Sequence, residues 1–210
     1  LPSYAQIAAT APSYVPQSSA LEEVVPMTTI RKKIAEAMVR SKYTAPDVTT
    51  FDEVEMTAVA ELRKRWKSQL DAKGIKLTYT PFFIKAAAMA LREWPLLNAS
   101  VVGDNIVYKK YYNIGVAVGS DRGLIVPVIK DCDKKTIVEI ARDLEDLGAR
   151  AHLGKVTMDE ISGGTFSVTN AGGFGAKSST PIIASPEVAI LGVPAIDQRA
   201  VVRNGEVVAP

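Results

Sequence analysis

The sequence predicts an α+β fold with a mixed sheet flanked by helices. Capped amphipathic stretches alternate irregularly with many short apolar β-runs, and no regular βαβ repeat imposes an all-parallel sheet.

Thr28 or Thr29 caps IRKKIAEAMVRSK, where Ile30, Ile34, Ala37 and Met38 form one stripe opposite Lys and Arg. After Pro46, VTTFDEVEM alternates in polarity and reads as a strand. Thr57 then caps a helix whose face holds Val59, Leu62, Trp66 and Leu70, with Gly74 as its stop. Thr80-Pro81 opens FFIKAAAMALREW, apolar almost all round and so expected to be the buried central helix. Lys85 is its odd member, a snorkelling stem or a ligand contact.

Strand-like runs follow at 105–109, 113–119 and 124–129, the last two separated by the turn SDRG. Thr136 with Glu139 forms a capping box for a helix with Ile137, Ile140, Leu144 and Leu147 on one face, and Thr157 with Glu160 repeats the box. TFSVTN (165–170) and VAILGV (188–193) return to strand, and AVVR and EVVA flank Asn204-Gly205, a hairpin signal. That hairpin ends at Pro210 with its outer strand unpaired, and the chain is expected to be incomplete there.

Composition narrows the function classes. A formal net charge of +2 over 210 residues is too mild for a nucleic-acid partner. No apolar run of about 18 residues is present to span a membrane, and no basic-then-apolar N-terminus marks a signal peptide. Residues 1–24 begin with an uncharged Ala/Pro/Ser-rich stretch and are expected to be an interdomain linker, with a ragged terminus as the alternative.

The single cysteine, Cys132, lies between Asp131 and Asp133, whose charges disfavour a thiolate, and is expected to be inert. One His and one Cys speak against a zinc site, so no metal is expected. Asn170-Ala-Gly-Gly-Phe-Gly175 is not GxGxxG, and its glycines suit a tight turn or a close backbone approach. His152 sits near a helix C-terminus, where capping or exposure suits it better than catalysis. Thr169 ends an apolar strand before that glycine-rich turn, so its hydroxyl is either a strand former's or one facing a cleft.

Several segments together resemble one family: VPMTTIRKKIAEAMVRSKYTAP, TTFDEVEMT, GIKLTYTPFFIKAAAMAL, WPLLNAS, YYNIGVAVGSDRGLIVPVIKD, GGTFSVTNAGGFG and STPII…PEVAILGV. They run in order over residues 25–210 and are similar to the catalytic domain of dihydrolipoamide acyltransferases, core subunits of 2-oxo acid dehydrogenase complexes. The resemblance implies a chloramphenicol-acetyltransferase-like fold, a homotrimer with active sites at subunit interfaces, and a hollow cubic or dodecahedral core. It also implies lipoyl domains, a 2-oxo acid decarboxylase and a dihydrolipoamide dehydrogenase as partners. The location implied is the cytoplasm of a bacterium or the mitochondrial matrix of a eukaryote.

The family's chemistry moves an acyl group between dihydrolipoyl-lysine and coenzyme A, with the lipoyl group carried on a domain outside residues 1–210. A histidine base deprotonates the thiol, and a Ser or Thr hydroxyl of the neighbouring subunit stabilises the oxyanion. By its place in GGTFSVTN that hydroxyl is Thr169, and Arg31 matches an arginine near the coenzyme A site. The family's histidine segment is expected beyond residue 210, His152 does not match it, and the chain as given is expected to be a poor catalyst. Asp47 stands where some relatives carry His. Acyl choice is divided: TTFDEVEMT resembles succinyltransferases, whereas YYNIGVA and PEVAILG resemble pyruvate-type enzymes, with acetyl ranked first. A non-catalytic scaffold of the same fold is the second reading and a free-standing acyltransferase the third.

Overall fold

The computed structural model describes residues 21–120 and 123–209, so most of the expected linker, and Asp121 and Arg122 of the SDRG turn, lie outside the described residues. The chain divides into two compact units between Val48 and Thr49.

The first unit holds helix α1 (Thr29–Thr44). Its cap is Thr28, whose hydroxyl accepts the Arg31 N–H at 3.4 Å, satisfying one of the donors a helix start leaves open. Ile34, Ala37 and Met38 of the expected stripe are half-buried, while Ile30 is exposed. Asp47 accepts the Lys42 ammonium on both oxygens at 2.8 Å. That hydrogen bond holds its carboxyl below the usual range.

Residues 48–56, expected to form a strand, form none, and Val48, Phe51 and Val54 are exposed. Alternation gives a segment two faces, but a strand also needs a neighbour's N–H and C=O groups. No described segment pairs with it. Glu53 instead holds Arg199 at 2.7 Å, and Glu55 pairs with Arg203.

Helix α2 (Thr57–Asp71) takes Met56 rather than Thr57 as its cap residue, with no side-chain capping bond. Of its expected face, Leu70 is buried and Trp66 is exposed. Gly74, at φ +69, ends the turn that follows, where the Ile75 N–H returns to the Leu70 carbonyl at 2.9 Å. Helix α3 (Thr80–Glu93) begins on Thr80 itself, with Tyr79 as the preceding residue and Pro81 in the first turn. It is buried on one face through Ile84, Ala87, Ala88 and Leu91 rather than all round, since Met89 is exposed.

Lys85 neither snorkels nor waits for a ligand. Its ammonium donates to the carbonyls of Cys132, Asp133 and Lys135 at 3.3, 2.8 and 2.8 Å. All three of its protons are thereby used to pin the loop before the next helix.

The strands are β1 (Ala99–Val102), β2 (Asn105–Tyr108), β3 (Ile114–Val116), β4 (Val118–Ser120), β5 (Gly123–Ile125) and β6 (Val128–Ile129). Strand β1 went unread in the sequence, although Gly103-Asp104 between it and β2 is a hairpin signal. The run 124–129 divides into β5 and β6 around Pro127, which has no N–H for a ladder. Run 113–119 divides likewise, at Ala117, whose N–H goes to the Val168 carbonyl at 3.2 Å.

Helix α4 (Ile137–His152) has the expected box: Glu139 N–H to the Thr136 hydroxyl at 3.2 Å, and Thr136 N–H to the Glu139 carboxylate at 2.7 Å. The second box is half formed. Glu160 accepts the Thr157 N–H and hydroxyl, but the short 3₁₀ turn Asp159–Ile161 starts from Met158 without a side-chain cap. Glu160 also takes both Arg150 amino groups, at 2.7 and 2.6 Å, which draws its carboxyl down to about 2.

Strands β7 (Phe166–Asn170) and β8 (Ile190–Val193) complete a four-stranded mixed sheet in the order β6-β3-β7-β8. β6 is antiparallel to β3, and β3, β7 and β8 are mutually parallel. The observed α+β class with a mixed sheet is the one expected. Ile114, Val116, Ile129, Phe166, Val168 and Val193 pack with α3 and α4 to form the core. Burying such side chains stabilises by about 1.5–3 kcal/mol each. Hairpin β9 (Val201–Arg203) to β10 (Glu206–Val208) turns on Asn204 and Gly205 at φ +51 and +86, as their sequence signalled.

Candidate active site

Successive side chains of a strand point to opposite faces of its sheet. On β7 this sends Phe166 and Val168 into the core, and Asn170 to the Thr80 hydroxyl at 3.2 Å. Ser167 and Thr169 therefore occupy the other face. The residues registered against them are Gly115 and Ile190 beside Ser167, and Gly192 beside Thr169. Both glycines admit close cover over this face: a Cβ at Gly115 would meet Val126 at 2.9 Å, and one at Gly192 the Ser179 Oγ at 3.2 Å. Thr169 is half-buried, and its hydroxyl has no hydrogen-bond partner among the described residues.

The turn after Thr169 is fixed in place. Asn170 Oδ1 accepts the Gly173 N–H at 3.3 Å, and Gly172–Phe174 makes one 3₁₀ turn. A Cβ at Gly172 would lie 2.4 Å from the Pro194 carbonyl oxygen, so the glycine serves the close backbone approach expected of it. The Ala195 N–H then reaches the Ala176 carbonyl at 2.8 Å, tying the end of the turn to the segment after β8.

Further down the same face lies a cavity of about 290 Å³, lined among others by Gly115, Val126, Val128, Gly164, Ser167 and Glu187. Ser167 is 3% exposed. Its Oγ and Glu187 Oε2 are both buried without a hydrogen-bond partner. Burial pushes the Glu187 carboxyl up to about 7; the Ser167 hydroxyl, close but outside hydrogen-bond geometry, moderates the rise. Sequence reading missed this pair. Ser167 shares the strand parity of Thr169, which was a usable signal, but nothing local to SPEVAIL indicates that Glu187 turns inward.

The other candidates belong to other elements of the chain. Arg31 is exposed in the first turn of α1. His152 is exposed in the last turn of α4, in the capping region expected for it. Cys132 is fully buried, and its thiol donates to the Ile129 carbonyl at 3.2 Å. Burial is the main cause that pushes this thiol to about 11, with Asp143 and Asp133 adding and Lys135 opposing. Burial, more than its acidic neighbours, disfavours the thiolate.

A strand-end hydroxyl over a glycine-clamped turn is one way to meet charge developing on a substrate oxygen. Residues 19–210 match the family model of 2-oxoacid dehydrogenases acyltransferase (catalytic domain). The chain belongs to that family.

Its relatives in the family include the dihydrolipoyllysine-residue succinyltransferase component of the 2-oxoglutarate dehydrogenase complex of Cupriavidus necator. That protein is 45% identical over 188 residues, which is 89% of this chain and 45% of the relative. The dihydrolipoyllysine-residue acetyltransferase component of the pyruvate dehydrogenase complex of Bacillus subtilis is also 45% identical, over 87% of this chain and 42% of its own length. The chain thus spans under half of each of these relatives.

Two solved structures superimpose with a TM-score of 0.89 at 33% identity, over 94% of this chain and 84% of theirs. One is Azotobacter vinelandii dihydrolipoamide acetyltransferase, in which the roles of a serine, a histidine and an asparagine in the catalytic mechanism were investigated. The other is the cubic core of the pyruvate dehydrogenase multienzyme complex. The family and fold implied by the sequence motifs are those found.

Proposed function

We propose that the protein is the acyltransferase core of a 2-oxo acid dehydrogenase complex, moving an acyl group between dihydrolipoyl-lysine and coenzyme A. The observation that carries this reading is the Thr169 hydroxyl, held at the end of β7 beside Gly192 and without a partner among the described residues. In the forward step a thiolate attacks the thioester carbonyl, and the carbonyl π electrons move to oxygen. Thr169 donates its hydrogen bond to that oxyanion. The carbon–sulfur bond to the first carrier then breaks, and the departing thiolate takes a proton. The thiol proton goes to a histidine base supplied outside the described residues; His152, exposed at the end of α4, is not that base.

The Arg31 guanidinium, presented to solvent on α1, has the fork geometry for a coenzyme A phosphate. No metal enters these steps. Acetyl is the acyl group favoured, on the likeness of the YYNIGVA and PEVAILG segments to pyruvate-type enzymes. The relatives include succinyl- and acetyltransferases alike.

Assembly as a homotrimer, and of trimers into a cubic or dodecahedral core, is supported by likeness to a cubic core. Lipoyl domains, a 2-oxo acid decarboxylase and a dihydrolipoamide dehydrogenase complete the proposed complex, in a bacterial cytoplasm or a mitochondrial matrix. No nucleic-acid or membrane partner is proposed.

Acyl transfer measured on the complete gene product tests the reading, with acetyl-, succinyl- and isobutyryl-CoA offered to dihydrolipoamide. Transfer is expected, with acetyl fastest. Equal inactivity with all three would leave the non-catalytic scaffold as the better reading.

A further inference from the structure

Asn170 follows Thr169 on β7 but points to the opposite face, and the steps above give it no part. The backbone around these two residues is thinly held. Register with β3 stops at Val116 opposite Val168. The Ala117 N–H to the Val168 carbonyl, at 3.2 Å, is the last backbone bond on that side among the described residues. Past it, Thr169 and Asn170 pair with β8 alone, through Gly192 and Val193. β8 in turn ends the sheet, with no further strand beside it among the described residues. A strand end paired on one side opens more readily than one in mid-sheet.

Side-chain bonds make up the difference. Asn170 Nδ2 donates to the Thr80 hydroxyl at 3.2 Å, and Asn170 Oδ1 accepts the Gly173 N–H at 3.3 Å. A backbone N–H can only donate, so one orientation of the amide makes both bonds. Thr80 is a firm anchor, 9% exposed at the start of α3, a helix set into the core by Ile84, Ala88 and Leu91. One amide thus ties the end of β7 to a buried helix start 90 residues away and to the turn that follows. It does so from the face opposite the Thr169 hydroxyl, so its grip on the backbone sets where that hydroxyl is aimed.

We propose that Asn170, held by Thr80, is a positioning residue that fixes the aim of the Thr169 hydroxyl at the developing oxyanion. The inference rests on the acyl-transfer reading of Thr169. An oxyanion donor has to lie about 2.7–3.1 Å from its target, and a misplacement of about 1 Å can cost about a hundredfold.

Turnover of the complete gene product in two backgrounds decides the matter, with circular dichroism confirming the fold of each variant. Thr80→Val removes the acceptor with little change in shape and is expected to lower kcat about tenfold, with KM little changed. Thr80→Ser restores the hydroxyl and should return most of the rate. Asn170→Ala deletes both bonds and should lower kcat further; Thr80→Val, the milder change, carries the test should Asn170→Ala not fold. In the Thr169→Val background no hydroxyl remains to be aimed. There neither Thr80→Val nor Asn170→Ala should lower kcat again.

Losses that multiply across the two backgrounds would overturn the proposal, since a merely structural fault costs the same in either. So would a parent-like kcat in Thr80→Val, or an equal loss in Thr80→Ser and Thr80→Val. Failure of the acyl-transfer reading is seen separately: Thr169→Val alone then keeps full activity, and the positioning role falls with it.

Discussion

Glu187→Gln is expected to abolish most of the loss of stability that the chain shows between acid and neutral pH. In the fold, burial raises this carboxyl from an ordinary 4.5 to about 7, so the folded state favours the protonated form. Its contribution is whole below about 4.5 and is lost as the pH rises through 7. At about 1.36 kcal/mol for each pH unit of separation, the swing is about 3 kcal/mol.

Glu160 works in the opposite direction, because Arg150 holds it near 2. Its contribution is present above the ordinary 4.5 and is lost as the pH falls toward 2. Asp131 and Glu139, lowered by Lys134 and by the Thr136 N–H respectively, act in the same sense as Glu160. Urea unfolding at pH 5 and pH 8 separates the two sides. The parent chain should be less stable at pH 8 by a few kcal/mol and the Gln variant nearly level. Equal losses in both would show that Glu187 ionises without penalty.

Thr169→Val should lower kcat for acyl transfer about a hundredfold in the complete gene product, with KM little changed. Loss of one oxyanion donor removes roughly 3 kcal/mol of transition-state stabilisation. Valine matches threonine in shape and strand preference, so β7 and its pairing with Gly192 should survive. Thr169→Ser keeps the hydroxyl and should retain most of the rate. Full activity in the Val variant would remove Thr169 from the chemistry.

Features set by neighbouring residues were readable in advance. The Thr136–Glu139 box, the Asn204-Gly205 hairpin and the Gly74 stop each depend on a few residues and on backbone geometry that their side chains impose. Caps at Thr57 and Thr80 were each misplaced by one residue, because Met56 and Tyr79 take the boundary position without a side-chain bond to mark it. Residues 48–56 have a strand's alternation but no strand partner among the described residues, and pairing is a property of two segments.

The candidate site divides in the same way. Thr169 was singled out by its strand end and the glycines that follow it, and its role came from the family resemblance alone; the structure places it in β7. Ser167 shares that strand's parity, but its pairing with Glu187 was not legible, since the carboxyl reaches the sheet from a segment that meets it only in the folded chain. Lys85 illustrates the same limit: a lone lysine in an apolar helix gives no sign that three carbonyls of a distant loop will consume its protons.

The most direct measurement is a crystal structure of the assembled protein with an acyl-CoA bound, read at one distance. The Thr169 Oγ1 should lie about 2.7–3.1 Å from the position of the carbonyl oxygen. A hydroxyl turned into the protein, with the thioester oxygen bound by other donors, would contradict the role assigned to it.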